Sequence, residues 1–272
     1  MRDQENRTFD RLRAAGRRVL PRWVLRGLKK LYYPRMLKRF DESRWPLAVV
    51  AKQLIRPGDV VVDAGANIGY VTMLLSRWVG PSGRVFSFEP VPDTAELLCH
   101  NVRALALSNV VVHACGLSDR EGDAVMEIPV YEGGGGENLY ESRIVTPGER
   151  HAQFRAVSVR TKTLDSIFAA DAASMPSFVK MDVEGHEAQV LEGMTAIFRE
   201  AKPALLVELS GPSAARARVF KHLGDLGYTA YAWTGAALQP RPEPAGDVDC
   251  FFLQVRHLDL LRTAPSGGSF FT

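Results

Sequence analysis

The run Val60-Val61-Val62-Asp63-Ala64-Gly65-Ala66-Asn67-Ile68-Gly69-Tyr70 constrains the fold more than any other stretch of the chain. Three β-branched residues without a charge read as a strand covered on both faces, as in the middle of a parallel sheet. Gly65 and Gly69 let the backbone turn sharply and approach a ligand where a Cβ would obstruct it. The helix that follows, about 68–78, points its unpaired N–H groups into that turn. An open α/β sheet binds nucleotide-like ligands at such a turn.

Strands and helices then alternate. Strands are expected near 59–64, 84–89, 109–115, 176–182 and 204–209, and helices near 45–55, 93–106, 186–198 and 213–224. Tyr228–Trp233 and Cys250–Val255 form two further strands. The pattern predicts an α/β fold: a doubly wound, mostly parallel, seven-stranded Rossmann-like sheet with helices on both faces and a C-terminal antiparallel hairpin. It is interrupted between about Asp119 and Val157. Gly133 to Gly136 are four consecutive glycines whose surroundings cannot pack a core, so 130–155 is expected to be a flexible loop or a lid.

The details of the turn select a ligand. Its glycines are spaced G-x-x-x-G, with Asn67 where a dinucleotide fingerprint has its second glycine, and no lysine follows as a triphosphate loop requires. Asp63 before the turn suits a ligand carrying an ammonium group. The second strand, Arg84 to Phe88, ends at Glu89, an acid placed to accept both hydroxyls of a ribose. An amino-acid end and an unphosphorylated ribose together describe S-adenosylmethionine.

Asp63 to Tyr70, then Phe88-Glu89-Pro90-Val91-Pro92, then Lys180-Met181-Asp182-Val183-Glu184-Gly185-His186-Glu187 resemble the signatures of FkbM-type methyltransferases. That family lies within the Rossmann-like S-adenosylmethionine-dependent enzymes, and its members are mostly O-methyltransferases of natural products and sugars. The resemblance covers about residues 55–210. It implies that Asp63, Gly65, Asn67, Gly69 and Tyr70 line the methionine part of the cofactor and that Glu89 holds its ribose. Ser118 and Asp119, just after the third strand, are placed to meet the adenine, although Asp119 also reads as an ordinary turn acid. Asn101 reads as a solvated or capping residue.

Methyl transfer to oxygen needs an aligned acceptor and usually a base. Asp182 ends the fourth strand and is delivered to the methionine or methyl region. Glu184 and His186 project from the turn behind it. Histidine is the natural base near neutral pH, with Asp182 or Glu184 orienting it or serving directly. The plainer alternative is that Glu184 and Glu187 favour a helix N-terminus and that His186 lies at the surface. His151 is a second candidate base. Asp182 and Glu208 end neighbouring strands as ligands of Mg²⁺ would, but Ser210-Gly211-Pro212 stands where metal-dependent methyltransferases carry further acids, so no metal is expected.

The expected function is therefore O-methylation of a hydroxyl on a sugar, glycolipid or natural-product small molecule. The alternatives are N-methylation of a small molecule and a non-catalytic module that binds S-adenosylmethionine.

The net charge of +3 conceals an asymmetry: residues 1–45 carry 14 Lys or Arg against 5 Asp or Glu, and the remainder 20 against 26. This basic extension precedes the catalytic domain at 46–262, and a loose tail follows at 263–272. Leu20, Trp23, Val24, Gly27, Leu28 and Leu31 follow a helical period, opened by Pro21 and stopped by Pro34. Such a helix caps its own domain or a homodimer partner, or lies on an anionic membrane surface. Nothing in the sequence supports a nucleic-acid partner. The three widely spaced cysteines read as reduced, and the basic N-terminus lacks an apolar stretch and cleavage site, so a cytoplasmic protein is expected, in one reading peripheral at the inner membrane surface.

Overall fold

The computed structural model describes residues 22–131, 136–137, 143–145, 154–170, 175–210, 212–242, 246, 248–263 and 270. Helix α1 (Arg22–Lys38) and a short 3-10 turn (Glu42–Arg44) lead to α2 (Ala48–Leu54). Then come β1 (Val60–Ala64), α3 (Tyr70–Val79), β2 (Arg84–Phe88), α4 (Pro92–Ala104) and β3 (Val110–His113). An insertion contributes β4 (Gly116–Leu117), β5 (Gly122–Tyr131), β6 (Gly136–Glu137), β7 (Arg143–Val145) and β8 (Phe154–Lys162). The main sheet resumes through α5 (Leu164–Ala170), β9 (Phe178–Met181), α6 (Glu187–Glu192), α7 (Thr195–Glu200) and β10 (Ala204–Leu209). The chain closes with α8 (Ser213–Asp225), β11 (Thr229–Trp233), β12 (Leu238–Pro240), β13 (Val248–Leu253) and α9 (Val255–Thr263).

Among the described residues the main sheet has eight strands in the order β12-β11-β13-β10-β9-β1-β2-β3. The pairings from β3 to β10 are parallel, and β13 joins them antiparallel between β10 and β11. The expectation of seven strands is corrected by β12, whose Leu238 to Pro240 pair with β11. The central strands are apolar on both faces, so the core is two layers, one on each side of the sheet.

The interruption at 119–157 is an antiparallel sheet of its own. Eight residue pairs join β5 to β8, from Gly122↔Thr161 to Pro129↔Phe154. Met126, Ile128 and Val159 on its inner face bury themselves against Val91. Most of the expected loop or lid at 130–155 lies outside the described residues, and so does His151.

The helix expected to stop at Pro34 continues to Lys38. A proline removes the bond to the carbonyl four residues back, here that of Lys30. His100 supplies the missing partner, its Nε2 lying 2.9 Å from Lys30 O. Arg26 and Lys30 pair with Asp93 and Glu96 of α4 at 2.8 and 2.7 Å, and Leu37 is fully buried against Met73 and Leu74. Helix α1 therefore caps its own domain, while Leu28 and Leu31 on its other side stay exposed.

The single helix expected at 186–198 is two. Gly193 lies so close to the insertion that a Cβ there would sit 2.2 Å from Ser118 O. The second helix starts afresh because the Asp165 carboxylate accepts from Ala196 N and Ile197 N at 2.8 and 3.1 Å. Helix α9 was not foreseen. No helix of the described residues is long and apolar enough to cross a membrane.

Candidate active site

The loop after β1 is fixed from four directions. Gly65 N and Ala66 N donate to Phe88 O at the end of β2. Asn67, at φ +51, donates its N–H to Glu89 Oε2 at 2.9 Å. Gly69, at φ +98, lies against Leu98, where a Cβ would come within 2.9 Å of Cδ1. The Asn101 side chain, buried rather than solvated, donates to Ile68 O at 2.9 Å. Positive φ at Gly65, Asn67 and Gly69 is what lets the backbone make this tight turn.

Glu89 bridges the loop and the next helix, since its Oε1 accepts from Val91 N at 2.9 Å. Burial pushes its carboxyl up to about 7, and the two N–H donors and Lys180 only partly oppose this. The sign is that of a folded-state value raised above the ordinary 4.5. Its contribution to stability is present below about pH 4.5 and lost as pH rises through 7, up to roughly 3 kcal/mol. Glu89→Gln should flatten this part of the stability–pH curve, as measured by denaturant unfolding at pH 5 and pH 8.

Asp63 is fully buried. Thr72 Oγ1 donates to its Oδ2 at 2.6 Å, and the Lys180 ammonium lies 3.5 Å from its Oδ1. Lys180 also reaches Gly65 O at 3.1 Å, Ala64 O at 3.4 Å and Asp182 Oδ2 at 3.3 Å. Asp63 and Lys180 face each other across β1 and β9. The Asp182 side chain keeps 19% of its surface exposed at the strand end. Tyr70 turns away from the loop: its hydroxyl donates to Met36 Sδ at 3.2 Å, and its ring packs on Phe40.

The turn after β9 is strained. Glu184 holds φ +54, rare for a residue with a side chain, and Gly185 follows at +91. Glu187 stabilises it from within, its buried carboxylate accepting from Gly185 N at 3.0 Å. Burial raises this carboxyl to about 7 as well. His186 opens α6, and its Nε2 lies 2.9 Å from Ser118 Oγ, which donates to Asp119 Oδ1 at 2.9 Å. Burial lowers the His186 pKa, with Asp119 opposing, and so favours the neutral ring.

The structure thus brings Gly65, Asn67, Glu89 and Asp182 together around the loop, and Ser118, Asp119 and His186 into a chain beside it. Lys180, Thr72, Glu187 and Asn101 belong to the same construction: in the sequence, Lys180 and Glu187 stand in the family signature without a role at the site, Asn101 reads as a solvated or capping residue, and nothing marks Thr72. Only Lys180 carried a signal, as a lysine inside an otherwise apolar strand. Among the described residues no group of three or more His, Cys, Asp or Glu could hold a metal ion. The acids that follow β2 and β9, Glu89 and Asp182, fit a ligand that offers hydroxyl and ammonium donors, while Asp63 is buried behind them against Thr72 and Lys180.

Residues 63–229 match the protein family described as the methyltransferase FkbM domain. The chain is 33% identical over 138 residues to the hexuronic acid methyltransferase AglP of Haloferax volcanii, with 50% of each protein covered. It is 29% identical over 189 residues to the methyltransferase sdnD of Sordaria araneosa, covering 62% of this chain and 73% of that one. The crystal structure of a methyltransferase FkbM from Methylobacillus flagellatus covers 75% of this chain and 49% of its own, with 18% identity and a TM-score of 0.49. The chain spans about half the length of the first of these relatives and of that solved structure.

Proposed function

The chain belongs to the FkbM methyltransferase family, through a domain that depends on S-adenosylmethionine, and on that premise we propose that it methylates a hydroxyl of a sugar or another small natural product. The observation that carries this reading is the glycine loop tied to Glu89 on one side and to Lys180 and Asp182 on the other. The identity with a hexuronic acid methyltransferase supports a saccharide acceptor.

When bound, the cofactor supplies an electrophilic methyl group on a sulfonium. Glu89 would accept the ribose hydroxyls, and the close turn from Gly65 to Gly69, braced by its internal hydrogen bonds, would leave room for the amino-acid end beside it. Asp182, partly exposed at the strand end and paired with Lys180, orients the acceptor. Ser118 gives its one hydroxyl proton to Asp119, so its oxygen accepts from the Nε2–H of His186. The Nδ1 lone pair of His186 is then left to take the acceptor's proton.

Titration calorimetry with S-adenosylmethionine, S-adenosylhomocysteine and NAD⁺ tests the cofactor. Binding of the first two at roughly micromolar Kd and none of NAD⁺ is expected. Because a ribose hydroxyl donates to the ionised Glu89, affinity should rise between pH 6 and pH 8. Glu89→Gln should remove that rise and weaken binding about tenfold. Methyl transfer to uronic acids and other hydroxylated acceptors tests the second substrate.

The exposed Leu28 and Leu31 of α1, in a basic arm, support a peripheral contact with an anionic membrane. The full chain should float with anionic vesicles at low salt, and Leu28→Ser/Leu31→Ser should not.

A further inference from the structure

Lys180 is a lysine in the middle of the sheet, 8% exposed, and its ammonium touches four groups. Two are backbone carbonyls of the cofactor loop, Ala64 O and Gly65 O, and two are the carboxylates of Asp63 and Asp182. Isolated, such a charge would be too costly to bury. Burial opposes it, but Asp182 and Asp63 outweigh burial and keep the ammonium protonated, with Glu208 adding a weaker pull. The register of β1 and β9 sets the pair opposite each other, so the contact is built into the sheet.

Resting on the cofactor reading above, we propose that Lys180 is a positioning residue that serves as the fixed internal cation of the site. It clamps the glycine loop to Asp63 and Asp182 and sets how strongly the site prefers the cationic cofactor over its neutral product. The substrate sulfonium carries a positive charge that the product thioether lacks. A fixed ammonium behind the loop therefore disfavours the substrate relative to the product. Asp63 and Asp182 act in the opposite sense. An ammonium held between the two carboxylates keeps the site from becoming a trap for cations.

The test is the ratio of affinities for S-adenosylmethionine and S-adenosylhomocysteine, measured by calorimetry on full-length protein. Lys180→Met adds one net negative charge and should shift the ratio toward S-adenosylmethionine by roughly fivefold, whatever happens to either affinity alone. Asp63→Asn removes one negative charge, keeps an oxygen for Thr72, and should shift the ratio the other way by a similar factor. Lys180→Arg, which keeps the charge, should leave the ratio unchanged. A merely structural lysine would weaken both ligands alike, so wild-type ratios in Lys180→Met and Asp63→Asn would overturn the proposal. If Lys180→Met does not fold, Asp63→Asn decides by itself. If the wild-type protein binds neither ligand, the cofactor reading fails instead, an outcome distinct from an unmoved ratio.

Discussion

His186→Ala is expected to lower kcat by about 10²- to 10⁴-fold while leaving the affinity for S-adenosylmethionine nearly unchanged. Truncation removes the nitrogen that takes the acceptor's proton and leaves the loop contacts of Glu89, Asn67 and Gly65 intact. The pH profile carries a second signature. A base must be neutral to act, and burial lowers the pKa of His186 from its ordinary 6.5. Activity limited by this group should therefore fall only below that value. Ser118→Ala leaves the ring unheld and should cost less than His186→Ala, chiefly in kcat. Steady-state kinetics with calorimetry on the same variants checks both. Equal losses in kcat and cofactor affinity for His186→Ala would give the residue a structural role through Ser118.

Gly65→Ala should abolish cofactor binding and cost about 2–4 kcal/mol of stability, from overpacking and from a left-handed conformation. The cause is local. At φ +75 a Cβ would point directly at the Asp182 carbonyl, 1.8 Å from its oxygen and 2.9 Å from its carbon. Both contacts are backbone, so no side chain can swing aside. Relief requires the loop and the end of β9 to separate, which pulls Gly65 O away from Lys180. Denaturant unfolding and calorimetric titration of the variant measure the two effects. Unaltered stability would mean that the loop does not lie against Asp182.

The strand–loop–helix unit was legible because its signals are local: a run of three valines, then glycines where positive φ is needed. The same holds for β2, which ends at Glu89, and for the turn after β9. What escaped the sequence depends on partners far along the chain. Lys180 gains its meaning only from Asp63, which the β1–β9 register sets beside it. Glu187 reads as a helix N-terminal acid, whereas its carboxylate folds back on Gly185 N. Pro34 signals a helix stop, but His100 satisfies the orphaned carbonyl of Lys30 and the helix continues. The inserted sheet was obscured by its own glycine run, although Met126, Ile128 and Val159 carry an apolar face. Its edges were also invisible, because β4 is two residues long and pairs with the far end of β8.

That last pairing has an engineering consequence. The insertion leaves the main domain at Gly116-Leu117 and returns at Thr161-Lys162, and these four residues lie side by side. Its two ends are thus already joined, and the closure entropy of whatever lies between them rises by only about 0.6 kcal/mol for each doubling of length. A hairpin of different length or sequence can therefore be grafted onto the same stump, provided that a small apolar face still meets Val91. Because Ser118 and Asp119 lie just inside the stump and hold His186, such a graft leaves that contact in place only if it begins beyond them, at Gly122, where the ladder of β5 with β8 starts.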